Sequence, residues 1–436
     1  MACAAQSPRA ARRAANASRL RCGRAPRRAC RDCSTPAVNL GRPGGLGRAV
    51  DPDIVAACFD AIVVGAGPAG LATSRELARA GVDHRVLERG AQAGHTWGNL
   101  YDSLVLHTGR HLSSLPGLAF PPGTPLFPPR RAFLDYLHRY ADTFRLPIET
   151  SADVTTVDRR GDRWAVRLRV GATLEARTLV VATGIVANPH VPDIPGRDRF
   201  TGRVIHSVSY RRPEGMTGRR VLVVGAGNSA GEISVELAQN GADVTLAVQS
   251  GAFVVPRELL GIPIQYLSVL VSPLPRAFVQ RVTTILGGLR GPRVLPLPAT
   301  TPCPKVPLIG LALADALRAG AIQLRGGLTA FTTEGVRFRD GSEQPFDDVI
   351  LATGYRAALG FLEGVIRVDA CGFGGRRDRV VSLDHPDLYF VGHNYDARGG
   401  LYNISIDAPR AAREITRALR DTARTSTGTP PAPSGR

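Results

Sequence analysis

The sequence predicts an α/β fold of two doubly wound units, and three observations predict it. Two glycine-rich loops, GAGPAG at Gly65 to Gly70 and GAGNSAG at Gly225 to Gly231, each follow a short run of Val, Ile and Leu. In each unit a glycine closes the next helical stretch sixteen residues after the loop begins, at Gly81 and at Gly241. A strand ending in Ala-Thr-Gly stands on either side of the second loop, at Ala182 to Gly184 and at Ala352 to Gly354. A strand running through a glycine turn into a helix start offers free N–H groups and a positive dipole end to phosphates. Two such units in one chain read as two Rossmann-like, dinucleotide-binding units.

Folded structure is expected from near Cys58. Phe59 to Val64 reads as a buried parallel strand, because a short apolar run without alternation suits a strand covered on both faces. Gly65 permits the tight turn, Gly67 lets the backbone approach a pyrophosphate, and Gly70 lets the helix pack close to the strand. Leu71 to Ala80 is the helix. Val82 to Glu88 is the next strand, and it ends on an acid 23 residues after Gly65, placed to accept hydrogen bonds from ribose hydroxyls.

His95 to His111 lacks periodicity but crowds together Trp97, Asn99, Tyr101, His107 and His111. A polar and aromatic loop after the ribose strand suits the ring end of a cofactor; the histidines equally suit a solvated surface. Arg131 to Phe144 reads as an amphipathic helix with Phe133, Leu134, Leu137 and Tyr140 on one side. Val154–Val157, Trp164–Val170 and Leu174–Val181 read as antiparallel strands, the last entering the first Ala-Thr-Gly turn.

Arg220 to Val224 opens the second unit. Its third glycine position is Ala230, still small enough for close packing. The residue in register with Glu88 is Val248. Loss of that carboxylate removes the group that would repel a ribose 2′-phosphate. Gln249 and Ser250 stand there without charge, and Arg257 is the nearest arginine after them. Pro256 to Pro304 is rich in Pro, Leu and Val, and reads as a lid or substrate channel of short helices and loops. Val306 to Leu317 reads as helix. Ile322–Leu324, Gly335–Arg339 and Phe346–Leu351 read as strands returning to the first unit. Tyr389 to Gly392 is a further buried strand, and Ile404 to Leu419 the closing helix.

The net charge of +18 is unevenly placed. Residues 1–50 hold eleven arginines and one acid, Asp32, so they carry +10 and the remaining 386 residues only +8. Lys305 is the single lysine, an arginine bias that accompanies high Ala, Gly and Pro content. Nucleic-acid binding by the folded core is therefore not expected. Four of the seven cysteines lie in the basic leader, and Cys58, Cys303 and Cys371 are scattered. That pattern is no disulfide framework, and it suits a reducing cytoplasm. Cys30 and Cys33 form one CxxC without a second ligand pair, so no metal site is expected. No apolar run is long enough to span a membrane.

Phe200-x-Gly202-x-x-x-His206-x-x-x-Tyr210 resembles the identifying stretch of the flavin-containing monooxygenases at every fixed position. LVVATG, GAGNS, ILATGY and LYFVG followed by GGL agree with it over residues 59–420. RVLVVGAGNSAGEIS and FVVPRELLG look most like the YUCCA-type indole-3-pyruvate monooxygenases and their bacterial relatives. The resemblance implies an NADP domain inserted into an FAD domain. On that expectation residues 58–212 and 325–420 form the FAD domain, and 213–324 the NADP domain with the lid at about 256–304. From their composition, residues 1–57 and 421–436 are expected to be a disordered leader and tail.

The resemblance also implies that FAD stays bound and that NADPH delivers a hydride to it. Oxygen then forms a C4a-(hydro)peroxyflavin that oxygenates a small organic substrate, an α-keto acid such as indole-3-pyruvate or an N/S nucleophile. A dry pocket would protect that species. The candidate cofactor contacts are Gly65, Gly67, Pro68, Gly70, Glu88, Trp97, His107, Val154, Thr183, Gly184, Gly225, Gly227, Asn228, Ser229, Gln249, Arg257, Thr353, Gly354, Tyr355 and Gly392. Asn99 and His206 are the candidates at the reaction centre, Asn99 as a flavin contact. His206 is expected to position domains or touch the nicotinamide nucleotide rather than to serve as a base. YUCCA-type enzymes usually carry arginine at the position of Gln249, so NADH is an alternative to NADPH. The alternative readings are a Baeyer–Villiger monooxygenase, whose relatives usually have Trp at Tyr210; a disulfide reductase, which lacks its cysteine pair here; and a basic-tail interaction protein or redox sensor.

Overall fold

The structure is a computed structural model that describes residues 55–186, 188–272, 294–296, 303 and 307–426. Most of the expected leader, much of the expected lid and the end of the tail lie outside these residues. Strand β1 (Val55–Val64) opens the described chain, earlier than Cys58. Helix α1 (Pro68–Arg79) follows the first glycine loop, and Pro68 at its first turn gives up only an N–H that the helix would leave unpaired. Strand β2 (His84–Leu87) and helix α2 (Arg130–Phe144) come next, then β3 (Ile148–Glu149). Strands β4 (Val154–Arg160), β5 (Arg163–Leu168) and β6 (Thr173–Val181) form the expected antiparallel element. β6 is also the parallel neighbour of β1, which explains its length and its nearly complete burial.

The second unit starts one strand before its glycine loop. β7 (Arg203–His206), β8 (Arg220–Val224), β9 (Asp243–Val248), β10 (Ile322–Gly326) and β14 (Asp348–Leu351) make a parallel sheet of order β10-β9-β8-β14-β7. The boundaries expected from sequence therefore move. Arg203–His206 and Asp348–Leu351 pair in the second sheet, not the first. Helix α3 (Asn228–Gln239) covers one face with the short helix α5 (Ala312–Arg318), and α4 (Ile264–Val271) lies between them in the chain. A three-stranded antiparallel sheet of β11 (Leu328–Phe331), β12 (Gly335–Phe338) and β13 (Glu343–Pro345) covers the other face. The helix expected over 306–317 begins only at Ala312, because Leu308–Ile309 pairs as a strand with Val254–Val255.

Asp348 shows why β14 belongs to the second sheet. Its carboxylate is completely buried and accepts from Arg203 Nε at 2.6 Å and Arg219 Nε at 2.5 Å, so it ties the starts of β7 and β8 together. A carboxylate without those partners would be costly at that depth.

The chain then rejoins the first sheet through β15 (Arg376–Arg377), β16 (Val381–Ser382) and β17 (Leu388–Phe390), with β17 parallel to β6. Helix α6 (Gly400–Ser426) closes the fold and extends past the expected end of order at 420. Leu401, Ile404, Ala408, Ala411, Ala412 and Ile415 bury one stripe of α6 in the core it shares with α1 and α2. That spacing is the period of an amphipathic helix. Cys303 and Cys371 form a disulfide with Cα atoms 5.4 Å apart, although the scattered cysteines of the sequence suggest no disulfide framework. Their separation of 68 residues hid the pair. Among the described residues no helix is long and apolar enough to cross a membrane, and no group of His, Cys, Asp or Glu could hold a metal ion.

Candidate active site

The carboxyl ends of β1 and β8 carry the two glycine loops, where an open α/β sheet presents its ligand crevice. A Cβ on Gly70 would collide with the carbonyl oxygen of Gly65, so only glycine lets α1 start this close to the turn. Gly225 has φ +144°, and a Cβ there would strike the carbonyl of Ala352 on the returning strand. The two loops are thus pressed against the two Ala-Thr-Gly crossings.

One cavity of about 450 Å³ runs from the first loop to the second. Gly65, Gly67 and Pro68 form its floor, and Glu88 stands at its edge. One Glu88 oxygen accepts from the N–H of Ala66 and the other from that of Gly90, both at 2.8 Å. A carboxylate has about four lone-pair sites, so each oxygen keeps capacity for a ribose hydroxyl. Trp97, Tyr101 and His107 form a wall, with Trp97 set edge-on against Phe133 at 4.6 Å. Thr183, Gly184, Val154, Tyr355 and Gly392 line it too, and Asn228 and Ser229 reach it from the start of α3. The order of phosphate loop, ribose acid and aromatic wall fits a flavin dinucleotide.

The polar groups at the wall are held across the two units. Glu232 on α3 accepts from the Tyr101 hydroxyl and pairs with His107 Nε2, each at 2.5 Å. Burial and the nearby Glu232 charge push the Tyr101 phenol well above its usual range. Tyr395, another lining residue, is pushed up to about 12 by burial. His393, beside Gly392, is fully buried between the rings of Phe373 and Phe390, and neither ring nitrogen has a partner among the described residues. Burial drives its pKa down to about 3.

Other expected site residues fall outside the cavity. Asn99 is exposed and does not itself line the cavity; its amide nitrogen bonds Nε2 of His95, a lining residue, at 3.1 Å. His206 is buried. Its Nδ1 accepts from the Val208 N–H and its Nε2 donates to the Gly354 carbonyl, both at 3.1 Å. Burial lowers its pKa, partly offset by the Gly354 bond. With both nitrogens engaged, it joins the outgoing strand to the returning one. Thr353 donates to the His190 carbonyl at 2.5 Å, a bond that belongs to the same crossing. Gly70, Gly225, Gly227 and Gly354 act through the backbone at the loops and crossings.

Gln249 stands exposed at the end of β9, and Arg339 Nη2 reaches its carbonyl at 3.5 Å. Arg325 sits on the neighbouring strand, paired with Ala247. Arg257 does not stand with them: its guanidinium lies over Phe127 at 5.3 Å and 3.8 Å from Glu232. The Asn228 amide is also partly committed, since its oxygen accepts from the Ile309 N–H at 2.7 Å.

Sequence reasoning missed Leu104, Phe361, Tyr395, Leu401 and Ile404 as lining residues, and Glu232 as the acid behind the wall. The signal for Glu232 was its place one turn into the second helix. Nothing local pointed to Tyr101 and His107 as its partners, 131 and 125 residues away.

The family described as pyridine nucleotide-disulphide oxidoreductase matches residues 62–254. The indole-3-pyruvate monooxygenase YUCCA1 of Oryza sativa subsp. japonica is 38% identical over 377 residues, 81% of this chain and 91% of that protein. The flavin-containing monooxygenase structure from Stenotrophomonas maltophilia superposes with a TM-score of 0.67 at 26% identity, covering 83% of this chain and 99% of that one. A cyclohexanone monooxygenase from Rhodococcus sp. Phi1 bound to NADP+ has a TM-score of 0.64 at 18% identity, covering 84% of this chain and 85% of that one; it shares the fold.

Proposed function

The chain belongs to the family of the YUCCA-type flavin monooxygenases, and on that premise we propose that it uses FAD, NAD(P)H and O2 to oxygenate a small organic substrate. The observation that carries this is a cavity lined by residues of both glycine-loop units. A hydride donor held by the second unit and an acceptor held by the first must meet, and this cavity is where the two units share walls. The bound flavin would supply the electron transfer to oxygen.

The chain's own residues hold and enclose. The N-terminus of α1 would hold the pyrophosphate of FAD, and Glu88 would accept hydrogen bonds from its ribose hydroxyls. Leu104, Phe361, Leu401 and Ile404, apolar lining residues, would keep water from the cavity. On this reading residues 203–351 are the nicotinamide domain, inserted between β6 and the last strands of the flavin domain. NADPH is the preferred donor, because Arg339, which reaches the Gln249 carbonyl, supplies there the positive charge that the residue itself lacks. The substrate class is an α-keto acid such as indole-3-pyruvate, the substrate named for the relative. Its oxidative decarboxylation consumes one O2, one NADPH and one proton. It yields the shortened acid, CO2, NADP+ and water.

The test supplies NADPH and ¹⁸O2 with indole-3-pyruvate, phenylpyruvate, amines and thioethers, and identifies products by mass. One ¹⁸O atom in a shortened acid supports the reading. Peroxide as the only oxygen product with every class overturns it.

A further inference from the structure

The geometry points to Glu232 as the positioning residue that couples the two nucleotide sites. The inference rests on the monooxygenase reading and adds a role to it. Glu232 lies in the second turn of α3, behind Asn228 and Ser229, which line the cavity from the second unit. Its carboxylate takes the Tyr101 hydroxyl on one oxygen and His107 on the other, and both residues line the cavity from the first unit. One carboxylate therefore fixes the aromatic wall of the flavin site to the helix that opens the nicotinamide site.

A second bond of the same kind lies one turn further along. Tyr210 donates to Glu236 at 2.9 Å, and the Tyr101 and Tyr210 rings stand 6.4 Å apart. Glu232 and Glu236 are four residues apart and so share one face of the helix. Neither Tyr210 nor Glu236 lines the cavity. The ladder thus has one rung at the reaction cavity and one beyond it, which separates positioning from mere attachment of the helix. Hydride transfer is steep in distance and orientation, and a displacement of about 1 Å costs about 10²-fold in rate. A clamp at the shared wall is where such a displacement is prevented.

The experiment is anaerobic stopped-flow reduction of the FAD-loaded protein by NADPH, for wild type, Glu232→Ala, Glu232→Gln and Glu236→Gln, with flavin occupancy measured in each. The expected result is a limiting reduction rate lowered roughly 10- to 100-fold in Glu232→Ala. Glu232→Gln keeps the shape and recovers part of the rate, and Glu236→Gln stays within about threefold of wild type. A wild-type rate in Glu232→Ala overturns the inference, and so does an equal loss in Glu236→Gln. If Glu232→Ala fails to retain flavin, Glu232→Gln decides: slow reduction with full flavin supports positioning, and the wild-type rate overturns it. A wild-type protein that NADPH does not reduce at all overturns the functional reading instead.

Discussion

Lowering the pH from 7.5 to 5 should destabilise the protein through His393, and the size of the effect follows from its surroundings. The ring is enclosed by Phe373 and Phe390, has no hydrogen-bond partner among the described residues, and faces the nearby charge of Arg376. Burial holds its pKa at about 3 against the ordinary 6.5. The folded state therefore keeps the ring neutral at pH values where the unfolded chain has already bound a proton. Stability is fully present above pH 6.5 and falls as the pH drops from there towards 3. Between pH 7.5 and 5, linkage gives a loss of about 2 kcal/mol from this one group. For a domain of this size that is roughly 4–8 °C in Tm. His84 and His206 are also lowered by burial and add losses of the same sign, so the wild-type shift alone does not isolate His393. The difference from His393→Phe does. The measurement is Tm of the FAD-loaded protein at both pH values for wild type and variant. The variant should lose roughly 4–8 °C less than wild type. An equal loss in both proteins would refute the reasoning, because His393 would then not be the group held neutral.

Two further outcomes test the crossing and the ribose site. His206→Ala removes two neutral hydrogen bonds at the junction of β7 and the Gly354 turn, a loss of about 2 kcal/mol in stability. FAD should stay bound while a larger share of NADPH consumption ends as peroxide, measured as peroxide per product; lost FAD with coupling preserved would contradict this. Arg339→Ala should weaken NADPH binding about fivefold, as expected for an exposed charge pair of roughly 1 kcal/mol. Equilibrium titration should show NADH binding unchanged, and an equal loss for both nucleotides would refute a role at the 2′-phosphate.

The two glycine loops were legible in the sequence because their chemistry is local: a turn, a close approach and a helix start fall within a few residues. So was Glu88, whose distance from Gly65 follows from the length of one helix and one strand. Asp348 was not, because only the parallel pairing of β14 with β7 and β8 brings Arg203 and Arg219 to it. The helix expected from Val306 began later because a two-residue strand pairing with Val254–Val255 claimed its start. Arg257 was nearest to Gln249 in sequence, yet Arg339 is the one that reaches it, from a hairpin 90 residues away. In each case the deciding partner came from a different strand, which periodicity and spacing along one segment cannot report.

The stretch from Phe200 to Tyr210 shows how a sequence can mark a family and still leave the substrate unspecified. Phe200 packs against Phe331 of the covering sheet at 5.4 Å. Gly202 leaves room for the Phe200 ring and the Asp347 carbonyl, which a Cβ would meet. His206 binds the Gly354 carbonyl, and Tyr210 binds Glu236 on α3. Each fixed position thus ties the outgoing crossing to a different part of the second unit, and none of the four lines the cavity. A stretch with that task is constrained by how one nucleotide unit is hung on the other, whatever molecule is oxygenated. On the proposed function, substrate choice would come from side chains that do line the cavity, among them Leu104, Phe361 and Tyr395, which belong to three separate loops. Exchanging those residues alters the cavity lining directly, whereas exchanging His206 or Tyr210 disturbs the connection and reaches the lining only through the rings of Tyr355 and Tyr101.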